Sequence, residues 1–558
     1  MFLALGLIPF VTFVGSYSTT VEDHTFRIMV WSVSLTLLLA SASFSPYLSG
    51  WDIQREFPIF QQVSRSGVWN AQLDIFESSF NSVISVSILP AMIRAVSGLD
   101  GQTVFKFTFP LIFSTVPVVL YNIYRRVVSS KAAFLSVYLF MSYFAFYNEV
   151  NQIAKQMIAE LLFVLLIWIS LSAIRPKRSG ATFAVLLTAG LTLSHYTLTY
   201  MYAGIITFSL IISRITRRVV AASTLMMIIL CVVMTLVWYS FVAGGSAVMA
   251  LTNFLSILVR SIVRDFLNPA ARPYEALQAI GLTAWTPGFL HDLYRITNYI
   301  VQFCLLLGFI AFARKKNKTV VERKVLPLMT VGLILIGSAV ILPNFGGIPL
   351  PRIYHISLLL ASPCFVIGAE LLESLWRKTY AMLARGLSIP QLPFSSRGKM
   401  IIAATILLSY FLFTSGWVWA VSLDAPVSVV LDGRRMANYS DDTKVAYYSE
   451  VDLPTDVSGA LWLASYGEND HVCSDYISYG HVLIAYGGLN STSFHSCSPS
   501  DLRKSYTFLS ELNLLHGIEV NLSESVFGGT SYYKFSADLF TNGSNRLYSN
   551  GGTAIFTG

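Results

Sequence analysis

Charge is scarce in this sequence: Asp, Glu, Lys and Arg make up 12% of its 558 residues, against 54% hydrophobic ones. Soluble domains carry about 25% charged residues, so most of this chain cannot sit in water. An ordinary soluble enzyme is thereby excluded. Cysteine is scarce too, with five in the chain, which excludes a disulfide-built scaffold. The first apolar run lacks a basic leader and a clear small-residue cleavage site, so no cleavable secretory signal is read. No internal repeat recurs, and no second Asp-x-Asp follows the acidic pair near residue 52.

What is present instead is a series of apolar runs from residue 2 to residue 420, each close to the ~20 residues that span a hydrocarbon core. They predict spans at 2–16, 28–48, 104–124, 131–147, 156–174, 180–194, 196–213, 219–240, 296–313, 325–342, 353–372 and 401–420. The stretch "SVISVSILPAMIRAVSG" (82–98) holds Pro90 and Arg94 and reads as a re-entrant or interfacial helix. Lys and Arg concentrate in one alternating set of connections, including "YRRVVSSK", "RPKRSG", "RITRR" and "RKKNK". Basic connections mark the cytoplasmic side, so Asp52 and everything after residue 420 are expected outside. The formal charge of +8 then comes from anchoring loops and argues against nucleic-acid binding.

The expected fold class is a polytopic α-helical membrane protein of about 12 to 13 hydrophobic helices with a C-terminal extracytoplasmic α/β domain. Residues 1–420 would form the membrane domain, with exterior loops at 49–103 and 241–295, and 421–558 the aqueous one. Those last residues hold 15 acidic side chains against seven basic, and "SGALWLASYGENDHVCSDYISYGHVLIAYGGL" suggests alternating helix and strand. Cys473 and Cys497 are the only cysteines outside the spans and are expected to pair in an oxidising exterior. In "SILVRSIVRDF", Arg260 and Arg264 stand at helical spacing between apolar residues, the pattern of an interfacial amphipathic helix. With the 50–98 segment it could roof a cavity open sideways to lipid.

Ionisable groups at membrane depth are costly and mark function unless they reach an interface. Four clusters fall on the exterior side: Asp52 and Glu56 with Trp51 and Arg55; Glu149 and Lys155 beside the stripe Gln152, Gln156, Glu160; His195, Tyr196 and Tyr200; and Arg352, Tyr354 and His355. Asp52 could be a general base or a metal ligand, and Lys155, Arg352 and His355 could bind an anion such as phosphate. Plainer readings stand beside these. The acidic pair could be a solvated flank, the glutamine stripe a helix–helix seam, His195 an interface histidine, and Arg352 a snorkelling side chain.

The order of these motifs resembles the membrane-embedded GT-C glycosyltransferases, the class of protein O-mannosyltransferases, aminoarabinose transferases and oligosaccharyltransferases. More narrowly, "GWDIQREF", "QIAKQMIAELLFVLLI" and "LSHYTLTYMY" look like an archaeal family of membrane proteins related to that class. The resemblance covers roughly residues 28–420 by topology. It implies Asp52 at the reaction centre with Glu56 as a second acid. It also implies a polyprenyl (dolichyl) phosphate-linked sugar held by Lys155, Gln156, Glu149, His195, Tyr196, Arg352, Tyr354 and His355. Some members hold a divalent metal at the first-loop acid, which here would be Asp52. The implied partners are that donor, membrane lipids, and an envelope acceptor that is a protein, a glycan or a lipid. Two other classes remain open at this point, a lipid or solute transporter without chemistry and a receptor anchored by the bundle.

Overall fold

The computed structural model describes residues 2–17, 21–71, 78–172, 178–216, 222–264, 266, 288–342, 348–386, 400–467, 471–489, 494–496, 506–522, 530–534, 536 and 544–557. Among these the chain is helical as far as Ser422, and strands occur only from Val472 onward. Among the described residues seven helices are long and apolar enough to cross a membrane: Asp23–Ala42, Gly101–Tyr124, Ala154–Leu171, Tyr196–Ile215, Leu225–Val242, Phe289–Arg314 and Leu350–Leu383. Shorter helices at Phe2–Tyr17, Ser130–Ser142, Arg178–Ser194 and Ile401–Thr414 meet the remaining expected spans, together with Val320–Ile341. The chain is a multi-pass α-helical membrane protein.

Helix ends depart from the hydropathy reading where polar contacts overrule it. The second helix starts at Asp23 because that carboxylate is anchored by Arg27 and Arg125, each at 2.6 Å. The span Gly101–Tyr124 is broken into pieces, with Pro110 and Pro117 opening new turns where their missing N–H is harmless. Within 82–98 the helix Ile88–Ser97 has ten residues, half the ~20 a span needs. The turn before it docks on the 191–195 corner, with Ile84 N–H donating to the Leu193 carbonyl at 2.9 Å.

Two glycines bring the long helices Phe289–Arg314 and Leu350–Gly386 together. A Cβ on Gly308 would lie 1.7 Å from the Cys364 carbonyl oxygen, and one on Gly368 would lie 2.0 Å from that of Cys304. In lipid, such small residues let dispersion contacts between backbones replace the missing hydrophobic drive.

The C-terminal region begins with helices Trp417–Ser422, Val429–Tyr439, Asp441–Tyr448 and Pro454–Tyr466. Its strands are β1 (Val472–Ser474), β2 (Phe494–Ser496), β3 (Tyr506–Leu509), β4 (Ile518–Leu522), β5 (Thr530–Lys534), β6 (Asn545–Ser549) and β7 (Ala554–Thr557). Five form a mixed sheet in the order β2-β1-β3-β7-β6, while β4 and β5 make a separate antiparallel pair. The sheet packs on helix Pro454–Tyr466 through Val457, Ala460, Leu463, Val472, Phe508 and Ile555, so helix and strand share one small core. Cys473 in β1 is disulfide-bonded, whereas Cys497 lies outside the described residues. Cys231, Cys304 and Cys364 are free and buried.

Candidate functional site

The helix Trp51–Ser66 carries the acidic pair. It starts at Gly50, whose φ of +94° suits glycine and whose bare Cα lets Gln152 pack against it. Asp52 in the first turn and Glu56 one turn later share a helix face. Ile53, Phe57 and Phe60 bury the apolar side of the same helix in the bundle. The Asp52 side chain keeps 20% exposure, while that of Glu56 has none.

Opposite them the chain breaks and restarts. A 3-10 turn at Val150–Gln152 and an extended Ile153 precede the helix Ala154–Ser172, leaving its first N–H groups available. Ala154 N–H donates to Glu56 Oε2 at 2.8 Å. The ammonium of Lys155 lies 3.2 Å from Glu56 Oε1 and 3.4 Å from Asp52 Oδ2, with its other side 3.6 Å from the centre of the Phe80 ring. Arg352, in the first turn of helix Leu350–Gly386, brings Nη1 to 3.7 Å from the same Asp52 oxygen. The Arg352 Nε is buried and has no hydrogen-bond partner among the described residues.

Burial raises the proton affinity of both carboxylates, but the outcome differs. At Asp52 the charges of Lys155, Arg352 and Arg55 outweigh burial and hold the group at about 2. At Glu56 burial prevails over Lys155, helped by the negative charge of Asp52, and pushes the group up to about 7. Asp52 is therefore a fixed anion, and Glu56 exchanges its proton near neutrality.

A cavity of about 660 Å³ adjoins this cluster. Its polar lining is Gln156, His195, Tyr196, Thr197, Tyr200 and Arg352. Its walls are apolar: Met201, Ile205 and Phe208; Leu251, Phe254, Leu255 and Leu258; Val331 and Leu335. From Tyr196 to Phe208 the lining follows one helix for about 18 Å. The amphipathic helix Ser246–Val263 forms one wall, and its last turn carries Arg260.

Asp52, Glu56, Lys155 and Arg352 thus converge in direct contact, and Gln156, His195 and Tyr196 join Arg352 on the cavity wall. His195 also caps the Tyr196–Ile215 helix, its Nδ1 accepting from Leu198 N–H at 3.4 Å. Three other residues sit elsewhere. His355 is buried between the rings of Phe140 and Phe146, with Nε2 2.8 Å from Glu160 Oε1. Ile356, one helical turn beyond Arg352, still lines the cavity, so His355 misses it because its side chain leaves another face of the helix and turns into the bundle. Tyr354 accepts a hydrogen bond from Gln302 at 2.5 Å and packs on Tyr143. Glu149 neighbours the half-buried Glu450 of the C-terminal region. Sequence reasoning missed Phe80 against Lys155 and the buried trio Gln54, Asp452 and His481, because nothing in their spacing announces contacts between residues so far apart, 398 positions in the case of Gln54 and Asp452.

The residues do not fit a divalent ion at Asp52. No group of three or more His, Cys, Asp or Glu side chains able to hold a metal occurs among the described residues. The two carboxylates at hand are already spanned by an ammonium group, with Arg55 and Arg352 beside them.

Apo ArnT from Cupriavidus metallidurans matches over 95% of this chain and 97% of its own, with TM-score 0.50 and 11% identity. The Archaeoglobus fulgidus oligosaccharyltransferase matches over 92% of this chain and 74% of its own, with TM-score 0.46 and 12% identity. Arabinofuranosyltransferase AftD from Mycobacteria matches over 97% of this chain but 40% of its own, with TM-score 0.46 and 11% identity. The chain shares the fold of ArnT, and these structural neighbours are GT-C glycosyltransferases. No curated protein sequence matches the chain. Residues 182–556 match the family described as "Predicted membrane protein (DUF2206)", and the chain belongs to that family.

Proposed function

We propose that this protein is a GT-C-type glycosyltransferase that draws its sugar from a polyprenyl-phosphate-linked donor, with Asp52 as the base. One observation carries the reading: an apolar cavity long enough for several isoprene units ends beside a cluster of cations around a single ionised carboxylate. An amphiphile with an anionic head fits that division of surfaces. Its phosphate would engage Arg352 and Lys155, with His195, Tyr196 and Gln156 beside it.

In the reaction the acceptor hydroxyl oxygen attacks the anomeric carbon as the bond from that carbon to the phosphate oxygen breaks. Asp52 takes the hydroxyl proton, the lipid phosphate keeps the bonding electrons, and one displacement inverts the anomeric centre. Paired with two cations, Asp52 is a weak base. A donor phosphate that draws Arg352 and Lys155 toward itself raises the proton affinity of Asp52, so donor binding prepares the base. The transition state resembles an oxocarbenium ion, which the remaining negative charge favours. The bias of Lys and Arg toward one set of connections supports an outer-face location in the cell membrane for this chemistry, with residues 421–558 as an aqueous domain beside it and an envelope protein, glycan or lipid as the acceptor.

The test is release of lipid phosphate by purified protein in nanodiscs, from a panel of labelled polyprenyl-phosphate sugars with candidate acceptors. Wild-type release that falls about a thousandfold in Asp52→Asn supports the reading. Equal release in both removes Asp52 from the chemistry. No release with any donor would favour a lipid-phosphate transporter, which the same cavity would also serve.

A further inference from the structure

The first turn of the Asp52 helix is gripped on its far side by the C-terminal region. Trp51 stacks on Tyr476 with ring centres 4.8 Å apart and meets His481 edge-on at 4.5 Å. Gly480 passes so close that a Cβ there would lie 2.4 Å from Trp51 Cζ3. Gln54, fully buried, donates through Nε2 to the Leu48 carbonyl at 2.8 Å and also to Asp452 Oδ2. The other oxygen of Asp452 lies 3.1 Å from His481 Nδ1, and these two side chains are 2% and 1% exposed. Arg55 reaches the Tyr476 hydroxyl at 3.5 Å, and Gln152, beside Gly50, donates to Glu450. Residues 51, 54 and 55 therefore touch the C-terminal region, while Asp52 between them faces the cations of the bundle.

We infer that Asp452 and His481 are positioning residues which, through Gln54 and Trp51, fix the rotation of the Asp52 helix and aim its carboxylate at the cavity. The inference deepens the proposed function and takes from it only that Asp52 does the chemistry. Buried ion pairs contribute little to stability, since desolvation offsets their attraction. Their hydrogen bonds are directional, and direction is what rotation about a helix axis requires. The Asp452–His481 pair uses both carboxylate oxygens, one for His481 and one for Gln54, so the amide of Gln54 is held at a set angle. A misplacement of about 1 Å in a reacting group costs on the order of a hundredfold in rate, so this grip governs turnover without touching substrate. The C-terminal region is on this account a working part of the active unit.

The full-length protein in nanodiscs tests this with three variants. His481→Phe keeps the ring volume and removes the donor to Asp452, and His481→Asn restores a donor near the Nδ1 position. Gly480→Ala pushes Trp51 while leaving the Asp452–His481 pair intact. Three quantities are read: hydrogen exchange of the peptide covering 51–60, binding of undecaprenyl phosphate, and sugar transfer. The expected result is exchange about tenfold faster in that peptide for His481→Phe and Gly480→Ala. Turnover falls about a hundredfold while the Kd for undecaprenyl phosphate stays within about twofold, and His481→Asn recovers most of the loss. Unchanged exchange over 51–60 in His481→Phe overturns the inference. So does loosening spread over all strands of the C-terminal region with His481→Asn as damaged as His481→Phe, since that describes a merely structural pair. A wild-type protein that transfers no sugar removes the reading of Asp52 itself, while the exchange data still decide whether this pair holds the helix.

Discussion

Lys155 and Glu160 stand little more than one turn apart on the same helix, yet each belongs to a different kind of polar cluster. Lys155 sits between Asp52 and Glu56, near Arg352, where part of the group remains accessible and cations crowd one anion. Glu160 meets His355 at 2.8 Å, with both side chains fully buried and packed by aromatic rings. The first is unequal and borders the cavity, whereas the second is closed off from it, although the buried Nδ1 of His355 has no hydrogen-bond partner among the described residues. A charge in the membrane is open to a ligand only where a cavity reaches it. Gln156 stands between the two clusters, lining the cavity while its Nε2 lies 3.5 Å from Glu160.

The sharpest way to break this contrast is at Asp52. Asp52→Asn is expected to lower lipid-phosphate release about a thousandfold and at the same time to tighten undecaprenyl phosphate binding, because a competitor for Arg352 and Lys155 has gone. Calorimetry on the variant checks it, and weaker binding would show that Asp52 holds the donor itself. Lys155→Met removes the cation between two carboxylates and should destabilise the protein by about 3 kcal/mol, read as a lower melting temperature. His355→Phe should cost a similar ~3 kcal/mol by stranding Glu160, and the double variant with Glu160→Leu should recover most of it. Turnover per folded molecule in that double variant is expected to match wild type. A collapse of turnover would make the closed cluster part of the chemistry.

Arg352→Ala has a smaller expected effect, a Kd for undecaprenyl phosphate about tenfold higher, or ~1.4 kcal/mol. A further expectation is a pH dependence. Glu56 and Glu450, ordinarily near 4.5, are both pushed up to about 7 by burial, against the pull of Lys155 and of Gln152 respectively. The folded protein then keeps protons that the unfolded chain releases, so this contribution is complete below 4.5 and is lost as pH rises toward 7. Chemical unfolding followed between those limits should show stability falling with pH, and Glu56→Gln should flatten the slope.

Much of the fold was legible because lipid enforces it. Each apolar run predicted as a span meets a helix, and the segment marked by Pro90 and Arg94 holds only a ten-residue helix. The meeting of Asp52, Lys155 and Arg352 was legible from charge bias alone, which placed all three on one membrane face. The face of each helix that turns to the cavity was not. Tyr354 and His355 share a motif with Arg352, but Ile356, one turn on, lines the cavity with it while their side chains turn to Gln302 and Glu160. Gln54 shows the other limit, since its partner Asp452 lies 398 residues away and only tertiary structure joins them.

The helix that presents Arg352 runs for 37 residues, about 55 Å, well beyond the ~30 Å of a hydrocarbon core. It is pinned to its neighbour at Gly368, whose Cα has no room for a side chain. That crossing acts as a datum, and the stretch of helix from it to Arg352, about 24 Å, works as a ruler. Removing one residue from the ruler would retract the guanidinium by about 1.5 Å and swing it through about 100°, away from Asp52. Between those two positions the chain should tolerate many exchanges of apolar side chains and no change of length.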